Sequence, residues 1–286
     1  MMISLSENDN KALFSLASYQ YLTASQMERL GVGKNRKTIR DYTLRRLTRI
    51  RPALVGAQDF GMIPGVGRLE VVYFLTEHGA QIVAEQLRCD VSELVYPKHG
   101  IRYQDDYFHR IHHVNFHISL RQWVDQRPGA ELEFFNSYYT KTKGKKIRSV
   151  NQVYFKPNPS LPMHYRKTIE PDGIFRFTAS GKSFLCAMEI HRKPDSKYIT
   201  KQLDTHMTAL DQSLLAEQYD HPADNLVLSV HESVSSFKSV QRRLMDNPEF
   251  EKFLPFFHFN LTEYAGADLQ GHWITADGKN SSLFAE

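Results

Sequence analysis

Asp172 and Glu189 are the residues of this chain whose types and spacing most directly suggest chemistry. Glu170-Pro171-Asp172-Gly173 opens an apolar stretch with Ile174, Phe175 and Phe177, and Ala187-Met188-Glu189-Ile190-His191 closes a second one with Phe184, Leu185 and Cys186. Ala179-Ser180-Gly181-Lys182 between them reads as a turn. A β-hairpin built this way returns the chain beside its start and sets Asp172 against Glu189. Two carboxylates at one spot repel unless a cation or a proton lies between them, so the pair predicts a divalent metal site for Mg2+ or Mn2+. Such an ion lowers the pKa of a bound water and offsets charge on a phosphate. The plainer alternative is a turn cap at Asp172 before Gly173, with Glu189 in an ion pair at a strand end.

Further candidates cluster around this pair. His191 is open to the roles of base, phosphate contact, metal ligand or ordinary surface histidine. Lys193 falls on the same strand face if the strand runs that far, although Pro194 follows it. Lys201, one turn into the next predicted helix, could reach the same place. His109, His113 and His117 are spaced four apart and share one helix face that could bind metal. The plainer reading of these residues is partly buried structural histidines. Cys89 and Cys186 are too few and too separated for a zinc site or a disulfide framework. Nothing in the sequence singles out a nucleophile among the 14 tyrosines.

These residues need a scaffold, and residues 105–286 suggest one. Asp105 to Gln126 has helical spacing, with Phe108, Ile111, Val114, Ile118, Leu120 and Trp123 as core candidates. Leu132 to Phe135 reads as a short strand ahead of the acidic hairpin. Ser196 to Tyr219 reads as one long helix, Asn225 to Val230 as a buried strand and Ser235 to Met245 as a helix. Phe256 to Leu261 and His272 to Ile274 are expected as late strands. Lys141, Lys143, Lys145, Lys146 and Arg148 form an acid-free basic stretch that could grip a phosphate backbone, or could form a solvated hairpin tip.

Residues 1–90 have a different pattern. Asn8 to Ser18 reads as a helix, Thr23 caps a second one from Ala24 to Leu30, and Gly31 ends it. A third spans Asn35 to Ile50, with Ile39, Tyr42, Leu44, Leu47 and Ile50 toward the core. A Gly/Pro-rich turn from Gly61 to Gly67, the strand Leu69 to Leu75 and a Thr76-capped helix follow. Three helices, a β-hairpin and another helix form the winged helix-turn-helix plan, in which the third helix enters the major groove. Lys34, Arg36, Lys37, Arg40, Arg45 and Arg46 fall on that element and are expected to contact double-stranded DNA. The net charge of +4 would not indicate DNA by itself, but its clustering on one segment does.

The helical pattern lapses after Cys89, where Pro97 and Gly100 occur. The expected organisation is a DNA-binding domain over 1–90, a linker over 91–104 and a second domain over 105–286. No apolar run is long enough to cross a bilayer, and the first ten residues lack a signal-peptide pattern, so cytoplasmic residence is expected. The fold class is α+β, a winged helix-turn-helix followed by an α/β domain with a central mixed sheet.

The predicted order of helix, three strands, helix and strand, with Pro171-Asp172 and Glu189 at its centre, resembles the restriction-endonuclease-like PD-(D/E)XK nucleases. More narrowly, the chain resembles the replication-relaxation family of bacterial mobile elements, which includes the MobC-type relaxases of mobilizable plasmids. That resemblance rests on the N-terminal domain, Phe74-Leu75-Thr76 leading to Gly79, His112-His113-Val114-Asn115, Pro171-Asp172-Gly173, Glu189, Lys201 and Tyr219. It implies recognition of a transfer or replication origin and nicking of one strand, with Asp172 and Glu189 as metal ligands and other mobilization or replication proteins as further partners. The restriction-type nucleases' lysine two residues past the glutamate is replaced here by His191, which leaves Lys193 or Lys201 to supply it, and their equivalent helix often contributes a site residue, which makes His113 the candidate for the cleft. The competing class is a non-catalytic DNA-binding initiation or transcription factor on a degenerate nuclease fold.

Overall fold

The computed structural model describes residues 4–98, 100–101, 107–138, 161–162, 168–192 and 194–284. The chain is a mixed α+β protein that divides into two compact units, with the boundary between Val114 and Asn115. Among the described residues no helix is long and apolar enough to cross a membrane.

In the first unit, helix α1 (Glu7–Tyr19) starts at a capping box in which the Asp9 N–H reaches Ser6 Oγ at 3.2 Å and the Ser6 N–H reaches Asp9 Oδ2 at 2.8 Å. Strand β1 (Leu22–Thr23) leads into α2 (Ala24–Arg29), where Thr23 and Gln26 form the same device at 3.2 and 2.9 Å. The third helical segment runs through α3 (Arg36–Thr38), a widened turn (Ile39–Leu44) and α4 (Arg45–Arg49). In the widened turn the Arg45 N–H reaches back five residues to the Arg40 carbonyl. The sequence accounts for this, because Ile39 and the next fully buried apolar residue, Leu44, are five apart and both must face the core. Tyr42, expected on the core side, is thereby turned out and is 73% exposed.

Strands β2 (Val55–Gln58) and β5 (Val72–Leu75) pair antiparallel, and with β1 they form a sheet in the order β1-β5-β2. The connection between β2 and β5 carries a small hairpin, β3 (Met62–Ile63) and β4 (Gly67–Arg68). Thr76 caps α5 (Glu77–Leu87) by accepting the Gly79 N–H at 3.1 Å. A Cβ at Gly79 would lie 2.0 Å from the Leu54 carbonyl oxygen, so only glycine lets this helix approach the residue before β2 so closely.

Helix α6 (Tyr107–Asp125) begins in the first unit and continues into the second. The second unit is built on a mixed six-stranded sheet in the order β13-β12-β11-β10-β9-β6. Its strands are β6 (Glu131–Ser137), β9 (Gly173–Ala179), β10 (Lys182–His191), β11 (Leu226–His231), β12 (Phe257–Leu261) and β13 (Ile274–Thr275). Strand β9 is antiparallel to both of its neighbours, β6 and β10, while β10, β11 and β12 run parallel. A two-stranded piece, β7 (Leu161–Pro162) with β8 (Thr168–Ile169), lies outside this sheet. The β9–β10 turn places Ser180 at φ 51° and Gly181 at φ 73°, the backbone twist a two-residue hairpin loop requires.

Alternation along β10 divides the core. Cys186, Met188 and Ile190 pack on one face with Phe175, Phe177 and the α6 residues Phe116, Leu120 and Trp123. Leu185 and Ala187 face the opposite way, toward Ala209 of α7 (Ser196–Asp211) and Leu215 of α8 (Leu214–Gln218). On that same face, Val227, Phe257 and Phe259 pack with Leu203 of α7 and Val240 and Leu244 of α9 (Val234–Met245). The sheet is therefore covered by helices on both faces, and each fully buried phenylalanine contributes roughly 1.5–3 kcal/mol. The single helix expected from Ser196 to Tyr219 is broken, because Ser213 takes a left-handed backbone at φ 47° and its hydroxyl bonds Asp224 at 2.8 Å. After β12 the chain forms α10 (Thr262–Ala265).

Candidate functional site

Asp172 and Glu189 come together as the hairpin predicts. The β9–β10 register pairs Met188 with Gly173, so the next residues outward are Glu189 and Asp172. The Ile190 N–H donates to Asp172 Oδ2 at 2.7 Å, and the Asp172 carbonyl accepts the Tyr138 N–H at 3.0 Å. Asp172 is half-buried, whereas Glu189 is 1% exposed.

Glu189 points toward α7. Its Oε1 lies 2.6 Å from His206 Nε2, and its Oε2 accepts from Gln202 Nε2 at 2.5 Å. Gln202 and His206 are four apart on α7 and therefore share a helix face. Burial, reinforced by the charge of Asp172, pushes the Glu189 carboxyl well above its ordinary pKa. Burial alone pulls His206 down to about 3, which keeps its ring neutral. His206 Nδ1 is buried without a hydrogen-bond partner among the described residues, so the ring proton belongs on Nε2, directed at Glu189.

The sequence predicts Mg2+ or Mn2+ between the carboxylates, and Asp172 and Glu189 are suitable donors for such an ion. However, both Glu189 oxygens already accept hydrogen bonds from α7. Among the described residues no three His, Cys, Asp or Glu converge on one point. A carboxylate oxygen that accepts one hydrogen bond keeps a second lone pair, so Asp172 and Glu189 would be the ion's ligands among the described residues, and no chemical step is derived through it.

Two positions along β10, His191 is 5% exposed and not a surface residue. Its Nε2 lies 3.0 Å from Ser229 Oγ, and Ser229 Oγ lies 2.9 Å from Nε2 of His231. The parallel register pairs Glu189 with Ser229 and His191 with His231, so all four share the α7 and α9 face. His231 is fully buried, with Phe237 and Phe259 ring centroids each 5.8 Å away, and burial lowers its pKa to about 3.

The remaining candidates are dispersed. Lys201 is exposed on α7 beside Gln202, and it is Gln202, not the lysine, that reaches Glu189. Lys193 lies outside the described residues, as do Lys141, Lys143, Lys145 and Lys146. His113 is fully buried on the part of α6 that belongs to the first unit. His117 stacks on Phe135 with centroids 3.9 Å apart, and burial together with Arg121 lowers its pKa to about 3.

In the first unit Lys34, Arg36, Lys37, Arg40, Arg45 and Arg46 are all exposed. Arg36 pairs with Glu70 at 2.9 Å and Arg40 with Asp41 at 2.8 Å. Arg46 serves the fold itself. It pairs with the buried Asp9 of the α1 capping box and donates to the Ser4 carbonyl at 3.1 Å. Together with Arg45, Arg49 and the exposed Tyr42 it lines an open depression of about 650 Å³.

Gln202, His206, Ser229 and His231 are the site residues that sequence reasoning did not find. Gln202 and His206 carried a weak signal, four-residue spacing on the helix directly after the strand bearing Glu189. The serine and His231 are placed by strand pairing alone.

No protein-family model, curated protein or solved structure matches the chain.

Proposed function

We propose that this chain binds double-stranded DNA at an origin-like site of a bacterial mobile element and nicks one strand there, with its second unit acting as a restriction-endonuclease-like domain. The observation that carries this reading is the place of the carboxylate pair. Asp172 and Glu189 adjoin where β9 begins and β10 ends, beside the parallel strand β11. Sheets with parallel strands bind ligands beyond the carboxyl ends of those strands, and Glu189, His191 and His231 lie at that end. The order α6, β6, β9, β10, α7, β11 supports the resemblance to restriction-type nucleases, setting aside the small β7–β8 pair. Asp172 is half-buried and Glu189 is buried behind it. In the first unit, two capped helices, a third segment bearing exposed cations and a hairpin on a small sheet support DNA binding through a winged helix-turn-helix.

One observation favours a second reading. Glu189 has both oxygens engaged by α7, and His191 has Nε2 engaged by Ser229. A non-catalytic initiation or transcription factor that uses the fold as a platform would tolerate that closure without cost.

Supercoiled plasmid carrying the origin separates the two. Wild type, Asp172→Ala and Glu189→Ala would be compared with Mg2+ or Mn2+ in the buffer, the ions this reading implies. Nicking by wild type that both variants lose supports the site. Equal nicking by all three sinks it, and DNA binding with no nicking selects the platform.

A further inference from the structure

The chain His191–Ser229–His231 has a direction that its geometry determines. Ser229 Oγ meets both rings through their Nε2 atoms, at 3.0 and 2.9 Å, and these are its hydrogen-bond partners among the described residues. A hydroxyl has one hydrogen to give. It therefore donates to one ring and accepts the N–H of the other.

His231 decides which. It is fully buried beside Phe237 and Phe259, an environment that keeps the imidazole neutral with a single ring proton. Its Nδ1 has no partner among the described residues. A proton there would be an orphaned buried N–H, which folded proteins avoid more strictly than an unused acceptor. The proton belongs on Nε2, where Ser229 Oγ receives it. The serine hydroxyl then donates onward to His191 Nε2, and that nitrogen must present a lone pair.

We infer that His231, acting through Ser229, fixes His191 as the tautomer protonated at Nδ1. This deepens the nuclease reading by giving His191 a definite role. With Nε2 committed to Ser229, His191 is not a general base through that atom. Any contact it makes through Nδ1 is made as a hydrogen-bond donor, the sense that suits an oxygen gaining negative charge during strand cleavage. Ser229 and His231 are positioning residues, because they act only through His191.

The test is the ring-nitrogen NMR correlation spectrum of the isotope-labelled full chain. The expected pattern is His191 protonated at Nδ1 and bare at Nε2, with His231 the reverse. Ser229→Ala should release His191 into a mixture of tautomers, and Ser229→Thr, which keeps the hydroxyl, should restore the single one. A wild-type His191 carrying its proton on Nε2 overturns the inference, as does a tautomer indifferent to Ser229→Ala. The wild-type spectrum decides the direction even if the alanine variant does not fold. The expected tautomers in a protein that leaves supercoiled plasmid intact would reject the nicking activity and leave this arrangement standing.

Discussion

Asp172 is tied to the backbone directly after Glu189, its Oδ2 accepting the Ile190 N–H at 2.7 Å. One carboxylate is thereby held by the strand that carries the other, and its charge contributes to the raised pKa of Glu189. Asp172→Asn separates these two roles, since the amide oxygen can still accept the Ile190 N–H while the charge is gone. The expected outcome is a stability within about 1 kcal/mol of wild type and nicking reduced by roughly 100-fold or more. Urea unfolding and plasmid nicking on the same preparation check both halves. Undiminished nicking would remove Asp172 from the chemistry.

Glu189 is the acceptor for two α7 side chains, so its removal should be felt in the fold. Glu189→Ala strands the His206 N–H and the Gln202 amide in the interior, at an expected cost of about 3–5 kcal/mol. Glu189→Gln retains one acceptor and should cost less than half as much. Denaturant midpoints read both variants. An alanine variant as stable as wild type would show that α7 does not depend on this contact and that Glu189 is free to serve a ligand.

What the sequence disclosed about the site follows from the range of the interactions. Asp172 and Glu189 were legible because a hairpin is local, its register set by the turn at Ser180 and Gly181. Thr23 and Thr76 were legible as caps for the same reason. Gln202 and His206 were not, because a strand residue can meet several positions on a following helix and only packing selects among them. Ser229 and His231 depend on parallel pairing across a crossover, which leaves no local mark. Tyr42 was misplaced because regular helical spacing was assumed where the Ile39-to-Leu44 interval demands a wider turn. His191 read as a possible surface residue because nothing local marks the cover over the last residue of β10, where α9 packs beside β11.

Buried neutral histidines make a pH prediction. Burial lowers His231 to about 3 and His258 to about 4 from an ordinary 6.5. Between those values and 6.5 the unfolded chain binds more protons than the folded one, so their contribution to stability is complete above 6.5 and is lost as pH falls. Each gives a slope of up to about 1.4 kcal/mol per pH unit. Glu189 acts in the opposite sense. Its raised pKa stabilises the fold below its ordinary 4.5, and that contribution is lost as pH rises through the folded value. The histidines outnumber it, so the urea midpoint should fall from about pH 7 to about pH 5. His231→Gln should flatten that fall. A midpoint that rises on acidification would show that the carboxyl dominates.

Arg45 and Arg46 are neighbours with different expected duties, and comparing them tests the DNA interface. Arg46 pairs with Asp9, whose side chain is 2% exposed and which also accepts the Ser6 N–H. Arg46→Ala leaves Asp9 in the interior without its cation and should cost about 1–3 kcal/mol of stability. Arg45 is exposed and has no ion pair among the described residues, so Arg45→Ala should leave unfolding unchanged. If Arg45 touches a phosphate, the variant should bind duplex DNA several-fold more weakly, and the slope of log affinity against log salt should fall by about 0.9. Lys37→Ala should behave in the same way. Binding measured at several salt concentrations, alongside unfolding, separates a lost contact from a loosened helix: a weaker complex with an unchanged salt slope would mean that these cations lie off the DNA, and that the exposed face of α3 and α4 is only a solvated surface.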